Sequence, residues 1–128
     1  MLSLVNCAML LAAMGVASAK DSAIAERENW SRFRGPNGCG VAEGVHFPAT
    51  WSDKDYAWKV KLPGKGHSSP VAWGGRIFVT SGNEETGEIT LSAISAKTGE
   101  TEWTKKFKSA PHHLHNSNSY ASSSPAAD

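Results

Sequence analysis

The residues best suited to metal chemistry are the histidines His112, His113 and His115, which lie in a short polar tract. Neutral imidazole nitrogens bind zinc or copper. In an extended chain, His113 and His115 would face the same side because alternate residues share a face. No cysteine, aspartate or glutamate lies near enough in sequence to complete a site. The tract is therefore predicted to be a solvated loop, with these histidines as the best metal candidates of the chain.

Other chemically suggestive residues lack the spacing that catalysis needs. Asp53 and Asp55 are the only close aspartate pair, in a segment expected to be a solvated turn. His67 precedes Ser68, but adjacent residues of a strand point to opposite faces, so a base cannot easily reach the hydroxyl. The glycines of residues 64–66 lack the spacing of a phosphate-binding loop. The sequence therefore names no catalytic residue.

Composition excludes some partners and favours a β fold. Lys and Arg number 13 against 12 Asp and Glu, a net charge of +1 without a basic patch for nucleic acid or a membrane surface. The chain has five Trp, 12 Gly and six Pro. Frequent turn residues between Trp, Val, Ile and Thr are typical of short strands, which predicts an all-β protein.

The first 19 residues read as a signal peptide. An apolar run centred on residues 7–16 precedes Ala17 and Ala19, small residues that suit the −3 and −1 pockets of a signal peptidase. The run is too short to span a bilayer, which argues against a transmembrane anchor, and a buried helix is the alternative. We expect cleavage after Ala19 and export to the periplasm or cell surface, leaving Cys39 as an unpaired cysteine.

Residues 20–57 form a leader and a turn-rich segment, and regular strand patterns follow. Apolar and polar residues alternate over 58–62, and four short strands with tight turns are predicted between about residues 67 and 107. The glycines of the Gly74-Gly75 dipeptide predict a hairpin turn. Four antiparallel strands over about forty residues are the size of one propeller blade.

Two segments recur along the chain. Trp58-Lys59-Val60-Lys61-Leu62 resembles Trp103-Thr104-Lys105-Lys106-Phe107, 45 residues later, and Ser68-Ser69-Pro70-Val71 resembles Ser123-Ser124-Pro125-Ala126, 55 residues later. Both pairs keep the order of a tryptophan strand, a polar loop and a Ser-Ser-Pro strand. This period fits a blade repeat with loops of different length.

The segment from Ala93 to Trp103 resembles the tryptophan-docking motif of quinoprotein-type (PQQ-like) propeller repeats. Ala93, Thr98, Gly99 and Trp103 fall in register with that motif, while Ser95 stands where Asp is usual. The resemblance implies that the tryptophan ring packs between neighbouring blades and that the Thr-Gly turn leads into the outer strand. It marks these four residues as a structural docking motif.

The similarity extends over most of the chain, through Asn29–Gly38, Trp58–Gly64 and Gly66–Val71, which resemble the opening of exported PQQ-like repeat proteins. It implies one four-stranded antiparallel blade, at about residues 67–107, and the start of a second blade at about 120–128. Residues 58–62 would be an N-terminal lacing strand that completes the last blade of the ring. The expected fold is thus an incomplete β-propeller over residues 58–128.

Two functions are compatible with this resemblance. The first is a non-catalytic binding or scaffold module of the cell envelope, with a blade type similar to that of the assembly factor BamB and with protein or polysaccharide partners. The second is the N-terminal part of a PQQ-dependent quinoprotein oxidoreductase whose cofactor site lies in further blades. This chain supports no cofactor, and PQQ and calcium would be bound only in a full-length relative. A truncated gene product is a third interpretation, and we expect the isolated chain to be marginally stable or to self-associate.

Overall fold

The computed structural model describes residues 29–42, 44 and 48–128. The predicted signal peptide at 1–19 and the first leader residues, 20–28, lie outside the described residues. The described chain contains four strands, namely β1 (Val71–Trp73), β2 (Arg76–Gly82), β3 (Ile89–Ser95) and β4 (Thr101–Phe107). No helix occurs in these ranges, so the all-β prediction is confirmed.

The strands form one antiparallel sheet in the order β1-β2-β3-β4. Gly74 and Gly75 connect β1 to β2 with φ angles of 56° and 75°, the left-handed pair that a two-residue type I′ hairpin requires. The remaining connections are also short, so each strand pairs with its neighbour in sequence. The sheet does not close on itself, as expected for a propeller blade in an incomplete ring.

A row of apolar side chains crosses one face of the sheet. The register pairs Val71 with Phe78, Phe78 with Ala93 and Ala93 with Trp103, one residue from each strand. Val71 and Ala93 are fully buried, and Ile94 on the opposite face is 2% exposed. Two of the five buried apolar residues in the described chain, Ala93 and Ile94, lie on β3, more than on any other strand. All residues of β4, by contrast, are exposed.

Residues 119–124, which include the predicted start of the second blade, pack against the segment before β1. The backbone N–H groups of His67 and Ser68 both donate to the Ala121 carbonyl at 3.1 Å. The Ser69 N–H donates to Ser124 Oγ at 2.8 Å. Residues 58–62 form no ladder with the sheet, and their role as a lacing strand for another blade stays a prediction.

Candidate functional site

The predicted docking motif forms a tight turn between β3 and β4. The Gly99 N–H donates to the Ser95 carbonyl and the Ser95 N–H donates to the Glu100 carbonyl, both at 2.9 Å. The Ser95 hydroxyl accepts from the Thr98 N–H at 3.3 Å, and the Thr98 hydroxyl accepts from the Glu100 N–H at 3.3 Å. Ser95 thus occupies the turn-capping position where the motif usually has Asp.

Trp58 docks on this turn from 38 residues upstream. Its indole Nε1–H donates to the Ala96 carbonyl at 3.0 Å. The ring also covers Gly99, since a Cβ on that residue would lie 2.6 Å from the indole. Gly99 has a φ of 75°, so both its conformation and its contact exclude a side chain. The turn is therefore a receptor for a tryptophan ring.

Trp103, the tryptophan of the motif itself, lies on the apolar row of the sheet rather than on the turn. Its ring centroid is 5.9 Å from that of Phe78, with the planes at 50°. Ala93 lies between these two rings in the register, where a larger side chain would separate them. Trp103 remains 42% exposed. Its ring is therefore only partly covered by the described residues.

The repeat marks Trp58 as a docking-type tryptophan, but the turn that receives it was not predicted. Trp58 begins a segment that resembles the one beginning at Trp103, so the repeat pattern predicts equivalent places for the two rings. The motif suggested that Trp103 packs between blades but did not indicate which turn receives Trp58. The structure brings Trp58, Ala96 and Gly99 together. It places Ala93 and Trp103 on the adjoining sheet.

The three candidate metal histidines are not gathered into a site. The His112 ring packs edge-on against Tyr120, with centroids 4.9 Å apart, and its Nδ1 lies 3.2 Å from the Ala110 carbonyl. His115 Nδ1 accepts from the Ser117 N–H at 3.2 Å, and His113 is exposed. Within residues 29–42, 44 and 48–128, no group of three or more potential ligands converges on one point.

The aspartate pair is engaged in local contacts. Asp55 Oδ2 accepts from the Ser52 hydroxyl at 2.7 Å and from the Ser52 N–H at 2.6 Å. These bonds, the hydroxyl first, hold the pKa of Asp55 below its ordinary value of 3.8. Asp53 is paired with Lys59 at 2.8 Å. Both carboxylates are exposed and turned to separate partners, so they do not fit the calcium that accompanies PQQ in quinoproteins.

The remaining candidate reactive residues are engaged in local hydrogen bonds that stabilise turns and strands. The Ser68 hydroxyl donates to the Thr80 carbonyl at 3.2 Å, so it is not poised as a nucleophile beside His67. Cys39 is exposed, and its N–H donates to Asn37 Oδ1 at 2.9 Å within a local turn. Lys65, from the predicted glycine loop, forms a β-bridge with Gly82.

Residues 48–126 match the PQQ-repeat family described as outer membrane protein assembly factor BamB. The match covers more than half of the chain and includes the docking turn and every strand of the sheet. The chain belongs to this PQQ-like repeat family. No curated protein and no solved structure matches the chain significantly.

The contact between Trp58 and the turn joins the segment before the sheet to the first blade through Gly99. The described residues include no helix of the length and apolarity needed to cross a membrane. The best-defined contact surface of the described chain is thus the turn that receives Trp58.

Proposed function

We propose that this PQQ-like protein is an exported, non-catalytic binding or scaffold module of the cell envelope. The observation that carries the proposal is the family match over residues 48–126, since that family is described as an outer membrane protein assembly factor. An assembly factor works through contacts with other proteins. A protein partner is therefore favoured over a polysaccharide, and the protein would act in the periplasm or at the cell surface.

The outer part of the blade supports a binding role. All seven residues of β4 are exposed. Trp103 and Phe107 contribute rings that are 42% and 44% exposed, and Lys105 and Lys106 add charge between them. Exposed aromatic rings rimmed by charged side chains are typical of protein-binding surfaces.

Export can be tested with alkaline phosphatase, which is active only outside the cytoplasm. We expect a fusion of the enzyme to the C-terminus of the chain to be active and its mature N-terminus to be Lys20. Ala19→Asp should block cleavage because the −1 pocket accepts only small residues, whereas Ser18→Asp, at the tolerant −2 position, should be processed normally. An inactive, uncleaved fusion in the unmodified chain would overturn the export proposal.

The absence of catalysis is tested separately. The full-length protein is incubated with PQQ and Ca²⁺, and dye-linked alcohol oxidation is measured alongside binding of PQQ by absorbance. We expect neither binding nor oxidation. Oxidation that requires added PQQ would instead establish the quinoprotein oxidoreductase.

A protein partner can be sought with a photo-crosslinking amino acid placed at Phe107, which is 44% exposed on β4. We expect a covalent adduct with an outer-membrane or periplasmic protein in intact cells. Placing the same amino acid at Val79, which is buried, is the matched control and should give no adduct. Adducts that form equally from both positions, or from neither, would count against a partner at the outer strand.

A further inference from the structure

The free edge of β1 is covered by the segment that carries Trp30. The Trp30 N–H donates to the Ala72 carbonyl at 2.8 Å, and the Ala72 N–H donates back to the Trp30 carbonyl at 2.9 Å. This reciprocal exchange is the hydrogen-bonded pair of an antiparallel ladder. Trp30 therefore extends the sheet beyond β1, although it is 42 residues away from Ala72 in sequence.

The other outward-facing positions of this edge are also accounted for. Alternate residues of an edge strand direct their N–H groups outward, so Pro70, Ala72 and Gly74 share this side. Pro70 has no N–H group. The Gly74 N–H donates to Asn29 Oδ1 at 3.1 Å. Each outward-facing position of this stretch thus either has no N–H group or has one that is already hydrogen-bonded. An incoming strand would find no free donor there.

The same segment also reaches the predicted second blade. The Ala127 N–H donates to the Ser31 carbonyl at 2.9 Å. Residues 29–31 therefore hydrogen-bond both to β1 and to the segment that is predicted to begin a second blade.

A tight turn after Ser31 holds Trp30 in place. The Gly35 N–H donates to the Arg32 carbonyl at 2.9 Å, and the Arg32 guanidinium donates to the Pro36 carbonyl at 2.6 Å. The Trp30 ring lies so close to Gly35 that a Cβ there would be 2.9 Å from it. The turn therefore packs its backbone against the ring, which explains the glycine at position 35.

In a β-propeller the blades surround a central channel. The PQQ-like resemblance implies that β4, the strand after the Thr-Gly turn, is the outer strand, which makes β1, at the other edge of the sheet, the inner one. We propose that residues 29–40 form a channel plug, which pairs with the inner edge of the first blade, bonds to the start of the predicted second blade, and closes the β1 edge to strand addition by a peptide or protein partner. A partner is then directed to the outer strands and the loops. Neither the docking turn nor the proposed envelope function gives residues 29–40 a role.

The test measures amide hydrogen exchange at Ala72 by NMR in the full chain. In the unmodified protein we expect protection at Ala72, an edge residue whose only bonding partner is the plug. Gly35→Ala should push the Trp30 ring away and lower this protection by about tenfold or more, the effect of losing roughly 1.4 kcal/mol. Gly38→Ala is the matched control, because Gly38 has a similar φ of 73° with open space around it.

Val79, inside the ladder between β2 and β3, is the internal reference for global unfolding. The proposal requires that Gly35→Ala lower the protection of Ala72 while that of Val79 is retained and that Gly38→Ala leave both unchanged. Free exchange of Ala72 in the unmodified protein would overturn the proposal without any variant. Equal losses at Ala72 in the two variants would also overturn it, since the ring contact would then play no part.

Discussion

At the scale of single residues, Gly99 decides whether the turn can receive Trp58. An alanine at a φ of 75° is strained, at a cost of about 1–2 kcal/mol. Its Cβ would also overlap the Trp58 ring, and such overpacking costs about 1–3 kcal/mol more. We therefore expect Gly99→Ala to lower the free energy of unfolding more than strain alone explains, as measured by urea denaturation.

Gly75→Ala separates these two contributions. Gly75 has the same φ of 75°, but no atom lies within 4 Å of the position of a Cβ. This variant should be destabilised by the backbone strain alone, and its tryptophan fluorescence should stay unchanged. Equal destabilisation by the two substitutions would contradict the docking of Trp58 on Gly99.

Asp55 gives the turn at Ser52 a defined pH dependence. Because hydrogen bonds from Ser52 lower the pKa of Asp55 in the folded state, ionisation of this carboxyl favours the turn at a pH above 3.8. That contribution is lost as the pH falls through the lowered pKa. Ser52→Ala removes the hydroxyl donor, and we expect the pKa of Asp55 to rise toward its ordinary value in a carboxyl NMR titration.

Ser31→Ala is the control for this titration, since the Ser31 backbone carbonyl, and not its hydroxyl, makes the contact to Ala127 described above. It should leave the pKa of Asp55 unchanged. A pKa for Asp55 that does not respond to Ser52→Ala would mean that the hydroxyl is not the main cause of the shift.

At the scale of elements, β3 supplies the core of the sheet. Ile94 is 2% exposed, while Ile89 at the other end of the strand is only half-buried. Ile94→Val should lower the free energy of unfolding by about 0.5–1.5 kcal/mol, because it leaves a small cavity. Ile89→Val should cost less in the same urea denaturation. A larger effect at Ile89 would place the core elsewhere.

The strand pattern and the turns could be predicted from the sequence because they depend on local residue types. Gly74 and Gly75 predicted the hairpin, and their paired positive φ angles fulfil it. The contacts of Trp30 with Ala72 and of Trp58 with Gly99 could not be predicted in this way. They join residues about forty positions apart, and no local pattern specifies which edge or turn such a ring will reach.

At the scale of the whole molecule, the described residues cover one edge of the sheet and leave the other edge open. The plug covers β1, whereas β4 presents seven exposed residues with Trp103 and Phe107 among them. An open edge with exposed apolar rings favours pairing between chains. We expect the purified 20–128 segment to self-associate, with a weight-average mass in sedimentation equilibrium that rises with concentration.

Trp103→Arg should weaken this association by adding charge beside the open edge. Trp51→Arg is the matched control, because Trp51 is even more exposed, at 56%, but lies outside the sheet. It should leave the association unchanged. A monomer that melts cooperatively at every concentration would show that the open edge does not cause self-association.

The contact of Trp58 with the turn at Gly99 gives the repeat a direction. Each unit of this kind carries a ring at one position and a receptor for a ring at another, so the interface between units is head-to-tail rather than self-complementary. A tandem duplication of such a unit supplies its own ring and its own receptor. Blade number can therefore change during evolution by whole-repeat gain or loss, without any new pair of complementary surfaces.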